Sequence, residues 1–75
     1  MERRGWSYRE RDGQAFGVDN QRLKVFRIFS NHVYEVRDEY LRTNVRLWGN
    51  EISEEEACSI SRFDGDLESA LKDAA

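Results

Sequence analysis

One cysteine, one histidine, one methionine and no proline occur among the 75 residues. Cys58 by itself cannot close an internal disulfide, and His32, the only other soft ligand, lies 26 positions away, so a disulfide scaffold and a zinc finger are both excluded. No stretch approaches the roughly 18 apolar residues of a membrane span. Met1–Ser7 also lacks the roughly seven-residue apolar core of a signal peptide, which predicts a cytoplasmic protein beginning at its own Met1, with no membrane partner. A Gly-rich phosphate loop, His-Glu-x-x-His and Gly-x-Ser-x-Gly are all missing. Asp64-Gly65-Asp66 matches part of a calcium loop, but the remaining ligands and the closing glutamate do not follow. The expectation is therefore no metal, no cofactor and no enzyme.

What is present suffices for one small domain spanning 1–75. Leu, Ile, Val and Phe make up 17 residues, and with a net charge of only -3 the chain lies above the composition of disordered segments. A domain this short barely offsets its chain entropy, which makes a homodimer or a larger assembly a natural source of extra stability. Charge is divided along the chain. Residues 1–50 hold ten bases and seven acids (+3), whereas residues 51–75 hold eight acids against Arg62 and Lys72 (-6).

The first 21 residues read as a hairpin or a mobile arm. Asp12-Gly13 is a type I′ turn signal that would bring the strand of Trp6 and Tyr8 against that of Phe16 and Val18 and set Tyr8 opposite Gly17. Residues 22–48 read as sheet. Val25, Phe26, Ile28, Phe29, Val33, Tyr34 and Val36 are β-branched or aromatic, which predicts strands over 22–29 and 33–38 around a three-residue loop, Ser30-Asn31-His32. That register sets Ile28 against Tyr34, Arg27 against Glu35, Phe26 against Val36 and Lys24 against Asp38. A further short strand is expected over 44–48. The competing reading is one long helix, since Lys24, Glu35, Asp38, Glu39, Arg42 and Arg46 share a sector of the helical wheel.

Ser53-Glu54-Glu55-Glu56 is a capping box that starts a helix running to about Arg62, with Ala57 and Ile60 inward and Ile52 as the staple. Three glutamates in its first turn suit the positive end of the helix dipole. Asp64-Gly65-Asp66 then breaks the chain, and Leu67, Ala70, Leu71 and Ala74 mark a second amphipathic helix over 66–74. Hairpins first and helices last define an α+β class: a small antiparallel sheet followed by two short C-terminal helices packed on one face.

Three functions compete. The acidic helices present Glu54, Glu55, Asp64, Asp66, Glu68 and Asp73, a set that could dock on a basic surface of a larger, nucleic-acid-handling protein complex. This predicts a protein-binding inhibitor or adaptor, and in general character the chain is similar to small phage-borne inhibitors such as anti-CRISPR proteins and DNA mimics, without a motif of any one family. Alternatively, Arg27, Arg37, Arg42, Arg46 and Trp48 on a sheet would contact a single nucleic-acid strand, provided that the acidic end is held away from it. A toxin-like ribonuclease would gather His32 with Tyr34, Glu35 and Arg37 around a phosphate. Cys58 follows three glutamates that oppose a thiolate, so a half-buried structural thiol is expected.

Overall fold

The computed structural model describes residues 6–74. The first five residues of the N-terminal hairpin-or-arm reading lie outside the described residues. Eight elements follow in chain order: β1 (Trp6–Arg11), β2 (Gln14–Asp19), β3 (Lys24–Ile28), β4 (Val33–Glu35), α1 (Glu39–Trp48), β5 (Asn50–Ile52), α2 (Glu54–Ser61) and α3 (Leu67–Ala74). The fold is α+β, as its pattern of hairpins and helices requires. One sheet of order β4-β3-β2-β1-β5 has every neighbouring pair antiparallel.

Asp12 and Gly13 both take positive φ, 54° and 79°, the pair that a type I′ turn demands, and Tyr8 pairs with Gly17. This hairpin is not an arm, because β1 and β2 are interior strands flanked by β5 and β3. The Glu10 carboxylate ties the turn to β5. It accepts from the Asn50 side-chain amide at 3.1 Å and from the Gly13 N–H at 2.9 Å, and those two bonds, Asn50 first, hold its pKa below the ordinary value. Asp19 organises the next turn by accepting from the N–H groups of Gln21 and Arg22.

Residues 29–32 form a four-residue connection closed by the Phe29 N–H donating to the His32 carbonyl at 2.8 Å, so the β3–β4 register differs by one residue from the expected one. Ile28 pairs with Val33, Arg27 with Tyr34 and Phe26 with Glu35. The Arg27–Glu35 and Lys24–Asp38 pairs consequently do not form across the ladder. The physical reason is a choice of which side chain enters the core. Val33 packs beside Ile28 and Phe26, while Tyr34 turns to the other face and stacks on Phe29 at 5.2 Å.

The strand expected over 44–48 is instead the second half of α1, and the single long helix does not occur either. Asp38, read as the end of a strand, caps α1 by accepting from the Tyr40 N–H at 2.9 Å. Leu41 and Val45, one turn apart, then pack on Val18, Val25, Phe16 and Val36. Helical spacing of two core residues outweighs the strand preference of Val45, Tyr40 and Trp48.

The two apolar clusters fall on opposite sides of the sheet. Ala15, Phe26 and Ile28 meet Ala57, Leu67 and Leu71 of α2 and α3, so the two C-terminal helices share one face; α1 covers the other. In α2 the capping box is complete: the Glu56 N–H donates to the Ser53 hydroxyl and the Ser53 N–H donates to the Glu56 carboxylate, both at 3.1 Å. Ala57 is fully buried, whereas Ile60, expected inward, is 38 % exposed at the end of the helix. Replacing Ser53 by Ala is expected to lower stability by about 1 kcal/mol in urea unfolding, the usual worth of such a cap. An unchanged midpoint would assign the helix start to the staple alone.

Candidate functional site

The six acidic candidates all lie in the α2–α3 layer. Glu54, Glu55, Asp64, Asp66 and Asp73 are exposed and Glu68 is half-buried. Some of this charge is in local use. The Asp66 carboxylate accepts from the Ser69 hydroxyl at 3.0 Å and from the Ser69 N–H at 3.4 Å, bonds that hold its pKa below the ordinary value and begin α3. Glu54 and Glu55 stand in the first turn of α2, where the helix dipole stabilises them. Residues 53–74 hold seven acids against Arg62 and Lys72, and the sheet separates this layer from the opposite face.

On that opposite face sits α1 with a different chemistry. Tyr40, Leu47 and Trp48 are 79 %, 60 % and 65 % exposed. At 100° per residue they share a sector of about 100°, on the side of the helix away from Arg42. Arg42 and Arg46, one turn apart, are half-buried. The helix is pinned at its C-terminal half to β1: the Arg11 guanidinium donates to the Asn44 side-chain oxygen and that of Arg9 to the Gly49 carbonyl, each at 3.3 Å. The Arg9 Nε is buried without a hydrogen-bond partner.

A third cluster occupies the β3–β4 connection. The Phe29 ring stacks with His32 at 5.0 Å and with Tyr34 at 5.2 Å, and the Arg27 guanidinium lies 4.6 Å from the Phe29 ring centroid. His32 and Tyr34 stack on each other at 5.9 Å, and Tyr34 is 48 % exposed. Arg37 is almost fully exposed and reaches the Glu35 carboxylate only at 3.9 Å, a surface pair of little energetic weight. Among the nucleic-acid candidates, Arg42, Arg46 and Trp48 therefore belong to the α1 side of the sheet, remote from the acidic helices, whereas Arg27 stands at the end of the sheet, where it lines a groove with the C-terminus of α2.

The ribonuclease constellation is not assembled. His32 shares its Nδ1 with the Asn31 side-chain oxygen at 2.7 Å and joins the ring stack, while Glu35 follows Tyr34 along β4 and alternates to the other face. Cys58 is half-buried; burial first, then the Glu54 charge, push its thiol pKa up, so it stays a thiol. Among the described residues no group of three or more His, Cys, Asp or Glu side chains could hold a metal ion, and no helix is long and apolar enough to cross a membrane.

Comparison of the chain with protein-family models, curated proteins and solved structures returns no match. Sequence reasoning missed Leu47 as a surface group, the placing of Tyr40 on a helix beside it, and Phe29 as the centre of a ring stack. The available signal was the i, i+4 spacing of Leu41 and Val45 behind the Asp38 cap, which leaves Tyr40 and Leu47 on the unburied side.

Proposed function

We propose that the chain is a non-enzymatic, cytoplasmic protein-binding module, an inhibitor or adaptor that docks on a larger protein or protein–nucleic-acid complex through the outer side of α1. The observation that carries this reading is the exposure of Tyr40, Leu47 and Trp48 together on one helix. Large aromatic side chains are the residues that anchor interfaces, and a small domain that spends two of them on solvent forgoes core it needs. The partner surface that complements this side of α1 is an apolar groove that takes in Tyr40, Leu47 and Trp48.

The test is affinity capture of tagged protein from native lysate, repeated with Tyr40→Ser/Trp48→Ser. Loss of the captured partner by at least about tenfold is expected, the scale of an interface anchor, with the unfolding midpoint unchanged. Full retention would remove α1 as the contact. A second reading is favoured by the segregation of charge across the sheet, in which the acidic α2–α3 layer docks on a basic surface. Glu54→Lys/Glu55→Lys/Asp64→Lys leaves the Asp66 cap intact and would abolish capture only under that second reading.

A further inference from the structure

At the end of the sheet, where β2 begins and β3 ends, a groove of about 340 Å³ opens between the two strands and the C-terminus of α2. Its lining includes Arg27, Phe29 and Ser30 from the β3 side and Ile60, Ser61 and Arg62 from the α2 side. The volume is that of a small-ligand site. Two guanidinium-bearing side chains thus line one groove from opposite walls, and neither Arg27 nor Arg62 makes an ion pair among the described residues. Arg27 lies over Phe29, an arrangement that leaves its in-plane N–H donors available for a bidentate contact to an oxyanion.

Arg62 is the more telling of the pair. It stands just past the last turn of α2 with φ 62° and ψ 29°, the left-handed conformation in which helices usually carry glycine, while its N–H donates to the Cys58 carbonyl. A Cβ at that position carries strain that glycine would avoid, and such strain gathers at binding sites. The Phe29 wall of the groove continues into the stacked rings of His32 and Tyr34, both exposed. An anion-binding groove bordered by an open ring stack has the two parts that recognise a nucleotide.

We propose that this groove is a nucleotide site, in which Arg27 and Arg62 hold the phosphate and the base stacks on the His32–Tyr34 rings. The ligand is a 5′-phosphorylated nucleoside unit, free or within a single strand. The site is separate from the Tyr40–Trp48 side of α1 and stands or falls independently of it.

The test is titration of the whole chain, followed by fluorescence and NMR, with adenosine monophosphate, with inorganic phosphate and with a single-stranded oligodeoxythymidylate. Binding of the mononucleotide or the oligonucleotide is expected, with inorganic phosphate alone weaker by about tenfold or more, the worth of one base–aromatic stack. Tighter, salt-dependent binding of the oligonucleotide assigns the strand as ligand; equal binding of the two assigns the free nucleotide. Arg62→Gly is the decisive variant. It relieves the left-handed strain, so the melting temperature should hold or rise while binding falls, and Tyr34→Ala should weaken the nucleotide without affecting phosphate. The assignment is overturned if neither nucleotide binds, if Arg62→Gly binds as the parent does, or if phosphate alone binds as tightly as the nucleotide.

Discussion

Phe26→Ala is expected to remove about half of the domain's stability and to move its urea midpoint sharply down. Phe26 is completely buried, packs under α2 and α3 with Leu67 and Leu71, and meets the Trp6 ring at 5.6 Å. Removing a buried phenyl ring costs about 3–5 kcal/mol, against a total stability of about 5–10 kcal/mol for a domain of this size. Its cross-strand partner is Gly17, which offers no side chain to collapse into the space, so the cavity persists. Circular dichroism and urea unfolding measure the loss. A drop of less than about 1 kcal/mol would mean that the helix layer closes over the gap, and the described core would then be wrong in its central contact.

Gly49→Ala is expected to be the most damaging substitution outside the apolar core. Gly49 is buried between α1 and β5 in ordinary extended backbone, φ -67° and ψ 143°, so its dihedral angles do not require glycine. Space requires it. A Cβ built there would lie 2.6 Å from the Val45 carbonyl oxygen and 3.1 Å from the Arg9 Cβ. The first of these is backbone, and it already accepts from the Gly49 N–H at 3.0 Å, so relief means moving the end of α1 off β1. The Arg9 contact to the Gly49 carbonyl would go with it. An expected loss of about 2–3 kcal/mol follows from overpacking against atoms that cannot rotate away. Gly17→Ala is the control: its nearest obstacle, at 2.9 Å, is the tip of the Leu71 side chain, which can change rotamer. Equal losses at the two glycines would contradict this distinction.

Features confined to a few neighbouring residues were legible in the sequence. The Ser53–Glu56 capping box and the Asp12-Gly13 turn each close within four residues, so their chemistry is fixed before any tertiary contact. The pairing of Tyr8 with Gly17 then follows from turn length alone. The β3–β4 register did not yield to the same argument, because it is decided by where Val33 packs and by the rings that gather around Phe29. In α1 the β-branched and aromatic residues argued for a strand, yet only Leu41 and Val45 engage the core. Composition cannot say which side of an amphipathic element lacks a partner, so the gathering of Tyr40, Leu47 and Trp48 on one side of a helix was hidden. The groove was hidden for a related reason: Arg27 and Arg62 are 35 positions apart and meet only once β3 and α2 are in place.

Because each neighbouring pair is antiparallel, the two outermost strands, β4 and β5, run in the same direction, joined by α1 across the sheet. The pairing of Tyr8 with Ile52 therefore closes a loop containing most of the chain, whereas β1 through β4 meet through short connections. Loop-closure entropy places that event late in folding. Until it occurs, β1 has an open edge, and the intermediate with four strands is the species that a neighbouring chain could extend. The three residues of β5 thus act as the clasp of the fold.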